Sequence, residues 1–266
     1  MRGISSICVF FIFAGCVQNS ANLKGRIGLR EIPELLVYCE NGLVSPISEI
    51  STSFEELYNC KVRIHNDCAR NIINIINYSK KGDVFIPDCR TAISWIKQID
   101  SLVVVDSLYI GMNQMVMIVK KDNPLLFSGK LESMAEPKYA VMLANPETSS
   151  LGYETMKLLI DNNIYNETMS NTMTLTVDSK GLKRSIINNE ASVAIDWVTS
   201  YMGNEDNGVD TFSIDKQNEQ LMVYASVLRN SEYLGLAYSF MAVLTSPQSL
   251  DIFAKYGIRK HKSTIY

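Results

Sequence analysis

The run Leu35-Leu36-Val37-Tyr38-Cys39-Glu40-Asn41-Gly42-Leu43, continued by Val44-Ser45-Pro46-Ile47-Ser48-Glu49-Ile50, narrows what this chain can fold into more than any other stretch. Its apolar first half, carrying a β-branched residue and an aromatic, predicts a buried strand. Asn41-Gly42 breaks the strand, and Ile47, Ile50, Phe54 and Leu57 then recur at helical spacing. Pro46 suits a first helical turn, where a missing N–H costs nothing. Asn41, Gly42 and Ser45 are all capping residues by type. A strand–glycine turn–helix junction leaves backbone N–H groups unpaired at the helix start. With the helix dipole they favour an anion there. The same pattern equally serves a first βα unit that binds nothing.

The rest of the chain repeats the alternation of strand and helix. Strands are predicted at residues 61–64, 83–87 and 102–106, with helices at 68–78 and 92–99. Further strands are predicted at 114–119, 139–144, 172–177, 193–197 and 221–228, and helices at 151–161, 179–188, 233–244 and 247–255. Asp178 or Ser179 caps the helix at 179. The polar segment 203–208 reads as a loop. Such alternation argues for parallel, doubly wound sheets. The long strands 114–119 and 221–228 suggest two lobes that the chain crosses between twice. Ligands in such folds sit beyond the carboxyl ends of strands.

Composition removes several classes of function. The chain has 266 residues, 47% of them hydrophobic, which is ample for a core, and its net charge of -3 gives no basic footprint for nucleic acid. Only two histidines occur, His65 and His261, too few for a polyimidazole metal site or most histidine-based catalysis. No serine elbow, zinc helix motif or phosphate-binding lysine loop is present. Asp178 and Asp196 could pair as acid and base, but capping a helix and ending a strand account for them more simply. The chain is therefore expected not to be an enzyme.

The N-terminus reads as an export signal. Arg2 precedes an apolar stretch at residues 7–13, too short to span a bilayer, and Phe13-Ala14-Gly15-Cys16 follows at once. This resembles the bacterial lipoprotein processing signal: residues 1–15 as signal peptide, Cys16 as the lipidated first residue, and 16–33 as a tether. A plain secretory signal or short anchor is the competing reading. Four cysteines remain beyond it, Cys39, Cys60, Cys68 and Cys89. An even number in an exported protein permits disulfides in three pairings, and free buried thiols are the other reading.

Four ordered stretches carry a wider resemblance. They are residues 37–43; Lys81-Gly82-Asp83-Val84-Phe85-Ile86-Pro87; Asn145-Pro146 through Leu151-Gly152-Tyr153; and Leu244-Thr245-Ser246-Pro247-Gln248 with Phe253-Ala254-Lys255-Tyr256-Gly257. In this order the chain resembles the solute-binding proteins of ABC transporters, specifically the molybdate- and tungstate-binding group. The resemblance implies an α/β, two-lobed periplasmic-binding-protein fold of type II. Each lobe is then a mixed, mostly parallel sheet flanked by helices, with a two-strand hinge between them. Lobe 1 is expected at 34–113 with 222–266, and lobe 2 at 114–221.

The same resemblance implies a tetrahedral oxyanion held in the interlobe cleft by neutral backbone N–H groups and hydroxyls, a physically sound arrangement. The resemblance places backbone donors at Gly42, Ala69, Leu151 and Ser179, and Asn41, Arg70 and the Trp197 indole are available to replace the hydroxyls this chain lacks. Several depart from the family pattern: Gly42 replaces a hydroxyl residue, Cys68-Ala69-Arg70 replaces a serine–glycine turn, and Trp197 replaces a tyrosine. Each lost hydrogen bond to a charged ligand is worth roughly 1.5–3 kcal/mol. The departures therefore also admit a different anion, a small organic acid, or a sensor role. Cys39, Cys68 and Cys89 then line one lobe near the cleft, as a disulfide, a soft-metal site or inert thiols. The implied partners are the anionic solute, an ABC permease and its ATPase, and the outer face of the membrane through the lipid. No cofactor, resident metal or nucleic acid is called for, and the chain is expected to be monomeric and extracytoplasmic.

Overall fold

The computed structural model describes residues 32–177, 179–203, 208–214 and 221–260. The export signal with Cys16, most of the tether, Asp178 and His261 lie outside the described residues. Strands β1 (Glu34–Glu40), β2 (Lys61–Asp67), β3 (Val84–Ile86) and β4 (Val104–Met112) come first, separated by α1 (Val44–Tyr58), α2 (Ala69–Ser79) and α3 (Arg90–Ile99). Then come β5 (Met115–Lys120), β6 (Val141–Ala144), α4 (Ser150–Asp161), α5 (Tyr165–Ser170), β7 (Thr172–Thr176), α6 (Ser179–Ile187), β8 (Val193–Trp197) and β9 (Val209–Ser213). The chain closes with β10 (Met222–Leu228), α7 (Leu234–Leu244) and α8 (Pro247–Lys255).

The strands form two five-stranded sheets, ordered β2-β1-β3-β10-β4 and β7-β6-β8-β5-β9. In the first, β1 is parallel to β2 and β3, while β10 is antiparallel to β3 and β4. In the second, β6 is parallel to β7 and β8, while β5 is antiparallel to β8 and β9. The sheets are thus mixed, as the resemblance implied, but parallel ladders make up half of the pairings and not most. The reason is the double crossing. β5 and β10 each enter their sheet from the opposite lobe and insert against the local direction. Neither is a free-standing hinge strand. The crossing itself is short: where the chain leaves β4, Asn113 N–H donates to Leu221 O at 2.8 Å. The C-terminal segment braces it, with Met112 and Arg259 exchanging both backbone hydrogen bonds.

Strand β1 is apolar throughout because both of its faces are covered. Leu35, Val37 and Cys39 pack with Ile47, Ile50 and Phe54 of α1 and with Phe240 of α7. Leu36 and Tyr38 face the other way, onto Ile72, Ile73 and Ile76 of α2. Burial on both faces is what turns an alternating pattern into a continuous run. The helix starts follow the capping chemistry visible in the sequence. Ser149 accepts from Gly152 N–H at the start of α4, and Ser246 accepts from Ser249 N–H at α8, with Pro247 in its first turn. The elements that sequence reasoning did not anticipate are α5 and β9. Both are short, and β9 is an edge strand with only Val209 fully buried. Strand β4 begins and ends later than predicted because its pairing with β10 carries it on to Met112.

Gly152 is required where α4 approaches the loop after β6. A Cβ there would lie 2.4 Å from the Asn145 carbonyl carbon and 2.5 Å from Ala144 O, backbone atoms that have no way to yield. Gly152→Ala is expected to destabilise the fold by about 1–3 kcal/mol, read from the urea unfolding midpoint, despite alanine's better helix propensity.

Candidate functional site

Each sheet contains a point where successive connections leave a strand on opposite sides. In the first sheet it lies between β1 and β3, in the second between β6 and β8. Crevices form beyond the strand ends at such points. Here the two crevices face each other across a seam. Glu40 ends β1 and Asp88 follows β3; Ser150 begins α4, after β6, and Trp197 ends β8. The turn Asn41–Leu43 packs against the turn Val198–Ser200 of the other lobe.

The centre of the seam is the Glu40 carboxylate. Ser150 Oγ lies 2.9 Å from each of its oxygens, and Asp88 N–H donates to Oε2 at 3.0 Å. The backbone N–H groups of Ala69 and Ser150, at the starts of α2 and α4, also face it and favour its charged form. Glu40 is 2% exposed and Ser150 0%. Asp88 sits beside it and accepts from Gly42 N–H at 3.2 Å. Its other oxygen, Oδ1, makes no hydrogen bond, and neither does the indole N–H of Trp197, 1% exposed on the opposite lobe. That indole still favours Asp88's ionised form by proximity, short of hydrogen-bond geometry. Gly42 fits between them: a Cβ would fall 2.8 Å from Asp88 Oδ1 and 2.9 Å from Trp197 Cδ1. The hydroxyl side chain that the family pattern would place at Gly42 has no room in this closed seam.

Further ties join the lobes. Thr91 Oγ1–H on α3 donates to Glu154 on α4, a buried carboxylate that Lys157 also pairs with at 3.3 Å. Arg70 N–H donates to Thr148 O at 3.0 Å and its Nε–H to Glu147 O at 3.2 Å. Its guanidinium lies 4.7 Å over the Trp95 ring, which meets Tyr153 edge-on at 5.6 Å.

Burial governs the electrostatics. It raises the Glu40 carboxyl from 4.5 to about 7, against the pull of its four hydrogen-bond donors. Asp88 is also pushed well up, first by burial and then by the charges of Glu40 and Asp196. Burial and these carboxylates together hold the Cys39 and Cys89 thiols protonated. Cys39, Cys60, Cys68 and Cys89 are all unpaired and buried, so the disulfide reading gives way to that of inert thiols. Cys39 and Cys60 belong to the core of the first lobe, while Cys89 packs into that of the second. Among the described residues no group of three His, Cys, Asp or Glu side chains is arranged to hold a metal.

The residues singled out from sequence are distributed unevenly around this centre. Gly42, Ala69 and Trp197 line it. Leu151 lies in the first turn of α4, its side chain in the core of the second lobe. Arg70 latches the rim instead of pointing inward, and Asn41 Oδ1 is engaged by Asn66 Nδ2 at 2.7 Å. Ser179 begins α6. Asp196 accepts from Tyr201 Oη–H at 2.6 Å and from Trp197 N–H at 2.7 Å, which leaves it a structural anchor. Glu40, Asp88, Ser150, Thr91 and Glu154 were missed. The available clue was a carboxylate closing an otherwise apolar strand just before a glycine turn. Open cavities of about 150 and about 530 Å³ lie elsewhere on the second lobe, lined by Met117, Leu131 and Asn162 and by Lys121, Tyr201 and Phe212 respectively.

Two mixed sheets whose switch-point crevices meet over a buried ionisable group define a solute-binding architecture. The family profile of bacterial extracellular solute-binding proteins matches residues 35–259, and the chain belongs to that family. Solved structures agree on the fold. The periplasmic molybdate-binding protein of Azotobacter vinelandii superposes with a TM-score of 0.74 at 11% identity, over 86% of this chain and 100% of that one. The sulfate-binding protein SubI of Mycobacterium tuberculosis gives 0.73 at 12% identity, over 87% and 88%. L-phospholactate-bound PEB3 gives 0.65 at 18% identity, over 85% and 100%, and Peb3 from Campylobacter jejuni gives 0.66 at 18%, over the same shares. No curated protein sequence matches the chain. Among the described residues, no helix is long and apolar enough to cross a membrane.

The raised carboxyls set a pH dependence. The folded chain keeps the Glu40 proton up to about 7, whereas the unfolded chain releases it near 4.5. The folded state thus binds the extra proton within that window, and its stability falls as the pH rises through it. Asp88 acts in the same direction. Glu40→Gln is expected to flatten this decline by on the order of 1–3 kcal/mol between pH 5 and 8, measured by denaturant unfolding. An unchanged slope in the variant would refute the assignment of that proton to Glu40.

Proposed function

We propose that this protein is the solute receptor of an ABC importer and takes a small anion, a tetrahedral oxyanion such as molybdate or tungstate, into the seam between its lobes. Residues 34–113 with 222–266 form one jaw and 114–221 the other. One observation carries the reading: N–H and O–H donors from both lobes already converge on a single acidic group, the Glu40 carboxyl. A free oxyanion makes the same demand on its surroundings, and oriented neutral dipoles meet it without a counter-charge. Ser150 supplies hydroxyl and amide, Gly42, Ala69 and Leu151 supply amides, and the Trp197 indole supplies a donor that otherwise reaches only toward Asp88, short of hydrogen-bond geometry. Arg70 closes the rim with Asn41 beside it, and the start of α6 at Ser179 is a further candidate donor. Anchored to the membrane through a lipid on Cys16, the monomer delivers its solute to a permease and ATPase. A ligand drives such closure by its greater affinity for the closed form.

A second reading, a small phosphorylated or carboxylic organic acid, draws support from the flat buried face of Trp197 and from the phospholactate held by the PEB3 neighbour. Calorimetry and thermal shift with molybdate, tungstate, sulfate, phosphate and phospholactate, each at pH 5.5 and 7.5, separate the two. At least one anion is expected to bind. Ser150→Ala is expected to weaken it about 10- to 100-fold, the worth of one hydrogen bond to a charged group. No heat and no shift with any of the five at either pH would sink the anion-receptor assignment.

A further inference from the structure

We infer that Glu40 is a built-in occupant of the solute site: its carboxylate, reaching from the end of β1 to the start of α4, holds the two lobes together in place of solute, and an incoming anion is captured by displacing it. This deepens the anion-receptor reading and rests on it.

Three observations carry the inference. The first is the distribution of donors. Ser150 Oγ and N–H belong to one lobe; Asp88 N–H and Ala69 N–H belong to the other. A carboxylate that satisfies all four is a cross-lobe clamp. A side chain serving its own lobe alone would not need the pair from α4. The second is the lack of room. Glu40, Asp88, Ser150 and Trp197 are all buried, and even a methyl group on Gly42 collides with both Asp88 and Trp197. A second anion therefore has no place beside Glu40 in this closed form. Close like charges would add repulsion to the steric conflict. The third is what remains unmatched. Asp88 Oδ1 and Trp197 Nε1 are buried at the same point, near enough to interact but short of hydrogen-bond geometry. Buried polar atoms are rarely left so. The clamp thus satisfies most of the site but not all of it, as a substitute for a better-fitting occupant would.

The groups facing the clamp explain why it can be displaced. Asp88, Cys39, Cys68 and Cys89 surround Glu40, Asp196 lies beyond Asp88, and Glu154 beyond Cys89. Burial disfavours its ionised form, so the clamp is held by hydrogen bonds against a desolvation cost. The secondary ties are few: Arg70 to Glu147 and Thr148 at the rim, and the buried Thr91–Glu154 bond.

The two tryptophans give the readout, since Trp197 is sealed in the seam and Trp95 stacks under Arg70 at its rim. Emission spectra and anion titrations are compared for the full chain, Glu40→Ala and Glu40→Gln, with molybdate, sulfate and inorganic phosphate. Glu40→Ala is expected to shift tryptophan emission to the red as the seam opens, and to return it to the blue with anion. It should also bind at least one of the three anions tenfold or more tighter than the wild type. Glu40→Gln keeps an acceptor for Ser150 and should retain the wild-type emission, which separates opening from misfolding. If Glu40→Ala matches the wild type in emission and in affinity, the clamp is overturned, even where both bind anion and the receptor reading survives. If Glu40→Ala opens yet takes none of these anions, nor tungstate or phospholactate, the displacement step is overturned together with the receptor reading, and Glu40 is left as a lobe-closing element alone.

Discussion

A carboxylate without a cation stands at the centre of this molecule, and helix starts hold it there. Removing a charge from water is costly, and the structure offsets part of that cost at Glu40 with oriented dipoles: two helix-start amides, a loop amide and one hydroxyl. Because those dipoles come from both lobes, the same interaction that solvates Glu40 also sets the lobes against each other. The Gly42–Trp197 contact and the Thr91–Glu154 bond accompany that closure. A buried charge tolerates misalignment poorly, so the seam is specified more sharply than apolar packing alone would specify it.

The topology explains why such a cluster arises here and not elsewhere on the chain. β1 and β3 point their carboxyl ends into one crevice, and β6 and β8 point theirs into the other. Helices leaving these strands start at the crevice and direct their N–H groups into it. Whatever sits between the two crevices is bathed in positive dipole ends. That region suits an anion, whether the chain's own or a captured one. It also admits two adjacent carboxyl groups, Glu40 and Asp88, provided that burial keeps them partly protonated. Nearby thiols follow passively: held protonated by burial and the same acidic surroundings, Cys39 and Cys89 behave as small apolar groups.

Much of the architecture was legible in the chain. Burial on both faces of β1 produced an apolar run that only a sheet interior accepts, and Ser149, Ser246 and Pro247 marked their helix starts by side-chain chemistry. Where reading failed, the deciding forces were non-local. Strand β9 exists because β5 offers it an edge, and the ladder direction at β5 and β10 is set by the route between lobes. Arg70 looked like an anion ligand from its place after Cys68, yet Trp95 and the Glu147–Thr148 backbone hold it at the rim.

The sequence by itself determined the alternation of strands and helices, the two-lobed fold and the glycine turn at Gly42, because each depends on periodicity or on local backbone freedom. Only the tertiary structure decided that Glu40, Asp88, Ser150 and Trp197 share one buried point. These residues lie up to 157 positions apart, counting from Glu40 to Trp197. No local rule relates them, and their partnership comes from two crevices brought face to face by a chain that crosses between lobes twice.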